Sequence, residues 1–121
     1  MKSFWSIAIA TLTLTLGALA CGSSSPATPT PAAAADVTVN IVGISGSSSF
    51  APNPTAVSVG QRIVWKNVDT RNHNIIQDGN AFTTPIIATG ASADAVTMST
   101  RGTFAYHCGI HPSMVGTITV Q

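Results

Sequence analysis

The sequence predicts an all-β domain, a sandwich or barrel built from short strands. Apolar residues recur at every second position in several short runs, and clusters of Gly, Pro, Asn and Asp separate those runs. No stretch carries a sustained helical period, and no segment repeats.

Taken in order, Val37, Val39 and Ile41 alternate with Thr38 and Asn40, the period of a half-buried strand. Val57 and Val59 alternate before Gly60, and Ile63 to Trp65 is a β-branched and aromatic run. Val96 and Met98, Phe104 and Tyr106, and Ile118 and Val120 each alternate with small or hydroxylated residues. Turn residues fill Gly43 to Pro54, Asn67 to Asn72, Asp78 to Asn80, Gly90 and Arg101-Gly102. The strand pairing across 77–99 is left open.

The chain's 121 residues suffice for one domain and not for two. Only 7% of residues are charged, and Asp36, Asp69, Asp78 and Asp94 balance Arg62, Lys66, Arg71 and Arg101. No basic stripe exists, which argues against nucleic acid as a partner. Lys2 followed by an apolar run from Phe4 to Ala20 has the layout of a secretory signal peptide over residues 1–20. That run is shorter than a membrane span requires. Leu19-Ala20-Cys21 resembles a bacterial lipoprotein box, which would make Cys21 a lipidated first residue. Ordinary cleavage after Ala20 would instead leave Cys21 a free thiol. Residues 21–35, rich in Ser, Pro and Ala, read as a disordered tether, which favours the lipid and a membrane-anchored location on the periplasmic side. The folded domain is expected over residues 36–121.

The chemistry lies in Tyr106-His107-Cys108-Gly109-Ile110-His111-Pro112-Ser113-Met114. A thiolate, an imidazole and a thioether fall within seven residues, in a loop between two strand patterns. His73 offers a second imidazole before Ile75-Ile76. Two His, one Cys and a weak axial Met form the ligand set of a blue-copper electron-transfer site, so His73, Cys108, His111 and Met114 are the candidate ligands for one copper ion cycling between Cu(I) and Cu(II). Each residue alone has a plainer use: a surface or core His, a core-filling Met, a small buried Cys. With Cys21 lipidated, Cys108 would be the one thiol left, and ligation accounts for it. His107 neighbours Cys108 on a strand and so faces away from it, which marks it as structural or exposed.

The run YHCGIHPSMVGTITV resembles the copper loop and last strand of the cupredoxins, and its C-x2-H-x2-M spacing is most similar to that of the amicyanins. FAPNPTAVSVGQRIVWKNVDTRNHNI resembles the family's other half, with a Phe-x-Pro start, a Val-x-x-Gly turn, a Trp-x-Asn strand and the first His. The resemblance spans most of Phe50 to Gln121. It implies a Greek-key β-sandwich of the cupredoxin-like kind, about seven or eight strands, with the metal near one end. It implies that Asn74 ties the two ligand loops together beside the thiolate. It also implies that redox proteins dock at an apolar patch around His111, formed by Ile110 and Pro112. The expected function is a one-electron carrier outside the cytoplasmic membrane and not an enzyme. The alternative is copper storage or delivery without redox turnover, which Met- or His-rich tracts would favour. A copper enzyme with a second metal centre would need more imidazoles than three His supply.

Overall fold

The computed structural model describes residues 34–121. The expected leader at 1–20, Cys21, and the tether apart from Ala34 and Ala35 lie outside them.

Eight strands follow one another: β1 (Val37–Ile41), β2 (Phe50–Ala51), β3 (Thr55–Val57), β4 (Arg62–Asn67), β5 (Ile75–Gln77), β6 (Val96–Thr97), β7 (Gly102–Cys108) and β8 (Val115–Val120). They form two four-stranded mixed sheets, ordered β2-β1-β4-β6 and β3-β8-β7-β5. Each sheet contains one parallel pair. β1 runs beside β4 with Val37 opposite Ile63 and Ile41 opposite Asn67. β3 runs beside β8 with Thr55 opposite Ile118 and Val57 opposite Val120. The all-β sandwich expected from the alternation is therefore present.

The alternating residues supply the core. Val39, Ile41, Ile63 and Trp65 from one sheet meet Ile75, Tyr106, Cys108 and Ile118 from the other, all buried. Parallel pairing places Val39 opposite Trp65, so the two inward faces stay in phase. Tyr106 packs edge-on against Phe50 at 4.9 Å and against Trp65 at 5.6 Å between ring centroids. Such pairs add about 0.5–1.5 kcal/mol each beyond their buried area. The Trp65 indole nitrogen and the Tyr106 hydroxyl are buried without a hydrogen-bond partner among the described residues. Burial pushes the Tyr106 phenol up to about 12, and the nearby Trp65 N–H opposes that rise only in part, without hydrogen-bond geometry.

Three local expectations are corrected. The strand expected through Val59 ends at Val57; Ser58 and Gln61 form a turn, and Val59 is exposed. The stretch Gly43 to Pro54, taken as turn throughout, contains a single 3-10 turn at Gly46–Ser48 and the short strand β2. The alternation at Val96 to Met98 yields only two strand residues, although the Met98 amide still donates to the Gln61 carbonyl in register with the ladder. The open segment 77–99 crosses from one sheet edge to the other. It touches β5 through an isolated bridge at Thr83 and β4 through one at Ser92. Between β5 and β6, isolated backbone bonds such as Thr84 to Ile75 and Ala93 to Trp65 take the place of a ladder.

Candidate metal centre

The sheet register sets the site. β5 and β7 are antiparallel neighbours with Ile75 opposite Cys108, so the loop before β5 and the loop after β7 meet at the same end. Cys108 is the last residue of β7 and is fully buried. The chain then turns tightly: the Met114 amide donates to the His111 carbonyl at 2.9 Å, and the Cys108 amide to the Met114 carbonyl at 3.1 Å. That closure returns Met114, fully buried, to the side of Cys108. A Cβ on Gly109 would lie 2.6 Å from the Ile76 Cδ1 and 3.0 Å from both polar atoms of Asn74, so those side chains would have to shift to admit one.

His73 is placed by a different device. It precedes β5 and pairs with Ile87, exchanging backbone bonds of 3.2 and 2.7 Å. The loop leading to it is tied by Asn67, the buried last residue of β4. Its Nδ2 donates to the Arg71 carbonyl at 2.6 Å and to the Ile87 carbonyl at 2.9 Å, while its Oδ1 accepts from the Asp69 amide at 2.9 Å. Asp69 then meets His73: Oδ2 is 2.9 Å from Nε2. That bond, with a second from the Thr70 amide, holds the Asp69 carboxyl below its ordinary value.

With Nε2 engaged, the His73 Nδ1 faces inward. It lies 3.3 Å from Nδ1 of His111 and 3.6 Å from the Cys108 Sγ, and the His111 Nδ1 is 3.8 Å from that sulfur. A triangle with these sides has its centre about 2.1 Å from each corner, within the ~2.0–2.3 Å reach of metal bonds to nitrogen and sulfur. Three donors aimed at one point, two imidazoles and a thiol, fit a trigonal copper site with Met114 as the fourth, weaker donor. His73 is wholly buried and His111 partly exposed, so the site opens to solvent on the His111 side. Asn74 Oδ1 stands 4.0 Å from Sγ and covers Gly109, bridging the two loops.

His107 is not among the converging atoms. It sits opposite Ile76 and pairs with Asp78 through Nδ1 at 2.7 Å. Ile110 and Pro112 are exposed beside His111, and Ile86, next to the His73 partner Ile87, is also exposed. Sequence reasoning missed Asp69, Asn67 and Ile87. The turn-rich run Asn67 to Asn72 was visible, and an Asp four residues before a candidate His was the available signal.

Comparison with known proteins accords with this geometry. A family profile described as the cupredoxin-like domain matches residues 8–120. Plastocyanin of Rumex obtusifolius is 32% identical over 93 residues, which cover 65% of this chain and 94% of that one. Among solved structures, a purple cupredoxin from Nitrosopumilus maritimus superposes with a TM-score of 0.64 at 28% identity, covering 71% of this chain and all of that one. The Cu(I) form of a methionine-to-alanine mutant of amicyanin gives 0.63 at 25% identity, covering 75% of this chain and 87% of that one.

Proposed function

The chain belongs to the cupredoxin-like family, and from that premise we propose that it is a one-electron carrier, with a single copper ion held by His73, Cys108, His111 and Met114. The observation that carries this is the convergence of three donor atoms within 3.8 Å of one another on a frame of paired strands. When bound there, copper supplies a centre that accepts and returns one electron. The residues supply the rest. Cys108 and His73 are fixed by strand register and by the Asn67 network, so the donors are poised before metal arrives and little needs to move between oxidation states. Burial of Cys108, His73 and Met114 keeps water from the sulfur side. His111, the partly exposed donor, offers the short route out, and exposed Ile110 and Pro112 beside it suit a weak, transient redox partner better than a charged one.

The leader-like pattern and Cys21 support a place outside the cytoplasmic membrane, with a lipid anchor at Cys21. The single donor cluster among the described residues supports electron carriage over catalysis at a two-metal centre.

The test is addition of Cu(II) to the purified protein. An intense thiolate-to-copper absorption is expected. It should bleach with a one-electron reductant, return on reoxidation, and be absent from a folded Cys108→Ser variant. Copper that binds without that absorption sinks the site. Colour without reversible bleaching favours storage or delivery over electron transfer.

A further inference from the structure

We propose that Asp69 is a positioning residue that sets the electron affinity of the copper site through His73. This rests on the copper reading above. The two imidazoles are not equivalent. His73 has a carboxylate on its remote nitrogen at 2.9 Å, whereas His111 has no carboxylate partner among the described residues. The Asp69 carboxylate is itself held at every point. Oδ1 accepts from the Thr70 amide at 2.7 Å, Oδ2 from His73, and the Asp69 amide is tied to Asn67. It therefore cannot swing aside when the ring moves.

Two consequences follow. The carboxylate accepts a hydrogen bond only if His73 carries its proton on Nε2, so Nδ1 keeps its lone pair directed at the Cys108 and His111 donors. A full negative charge on the far side of the ring also makes the imidazole a stronger donor, and it stabilises the more highly charged Cu(II) more than Cu(I). Asp69 thus lowers the reduction potential.

Asp69→Asn removes the charge and keeps the side chain's size; its one amide oxygen can still accept from His73, with the bond from the Thr70 amide given up. The variant should fold, bind copper and show the thiolate-to-copper absorption. Its Cu(II) affinity should fall by roughly tenfold or more, the usual range for partners of metal-bound His. Its Cu(I) affinity should fall less, so its midpoint potential should be more positive. A coloured Asp69→Asn protein with an unchanged potential overturns the proposal and leaves the copper site standing. In the metal-free protein, nitrogen-15 NMR should find the His73 proton on Nε2 and protected from exchange, with that protection lost in Asp69→Ala. A His73 proton on Nδ1 overturns the proposal independently of copper. If the unsubstituted protein itself shows no thiolate-to-copper absorption, it is the copper reading that fails.

Discussion

Replacing Tyr106 by Phe removes a single oxygen from the centre of the core, where that oxygen has no hydrogen-bond partner among the described residues. A buried polar group left unpaired costs about 1–3 kcal/mol. The ring itself, packed between Phe50 and Trp65, is kept. Allowing for the small void, Tyr106→Phe should leave stability at neutral pH unchanged or raise it by about 1 kcal/mol. The larger effect comes at alkaline pH. An unfolded tyrosine ionises near ~10, whereas in the fold this one is pushed up to about 12. Between those values the unfolded chain has released its proton and the native protein has not, so unfolding releases a proton and stability falls as pH rises. The contribution is fully present below the unfolded value and is lost through the folded one. Two pH units correspond to about 3 kcal/mol. Urea denaturation at neutral pH and at about pH 11 should therefore show a smaller alkaline loss for Tyr106→Phe than for the starting protein. The chain has one tyrosine, so the ultraviolet difference spectrum of tyrosinate reports this residue alone. Equal alkaline losses in both proteins, or tyrosinate forming near ~10 in the folded protein, would refute the reasoning.

Gly116→Ala should destabilise by at least about 1–3 kcal/mol, because a Cβ there would collide with the hydroxyl end of the Tyr106 ring, 2.7 Å from Cε2. An unaltered urea midpoint would contradict it. His107→Ala should leave the thiolate-to-copper absorption intact and cost no more than about 1 kcal/mol, since its contact with Asp78 is a partly exposed hydrogen bond. Loss of copper from that variant would show that the wrong imidazole had been excluded. Mass spectrometry of membrane-extracted protein should find Cys21 as an acylated N-terminus, and an unmodified N-terminal Cys21 in a soluble fraction would rule the anchor out.

The sandwich was legible because its strands alternate strictly: Val37 to Ile41, Phe104 to Tyr106 and Ile118 to Val120 all fall in strands as the period requires. The donor set was legible because three of its members sit within seven residues. Val57-Ser58-Val59 alternates equally well, yet Val59 is exposed and opens a turn: its amide still reaches the Gln121 carbonyl at the end of β8, and the chain then folds back as the Gln61 amide donates to the Ser58 carbonyl. Within 77–99, the part before β6 was opaque because the sheets hold it through isolated bridges and single backbone bonds, which impose no period on side chains. Asp69 and Asn67 were hidden for a related reason. Both act through a loop whose shape follows from where β4 ends and where Ile87 lies, and neither fact is local in sequence.

The parallel registers give the molecule a direction. β1 runs from Val37, at the chain's entry, to Ile41, opposite Asn67 and beside the donor loop, a rise of about 13 Å. β8 makes the reverse journey from Val115, next to Met114, to Val120, where the Gln121 amide is fastened to Val57. The Asp36–Arg62 ion pair and the bond from Gln61 to the Ala35 carbonyl secure the entry at that same far pole. The first described residues and the last are thus moored together at one pole of the sandwich, and the thiol and imidazoles occupy the other. Any pull applied through either terminus is taken up by strand ends that share no residue with the donor triangle. A label or surface linkage placed at the C-terminus would hold the protein by its back, with His111 facing outward.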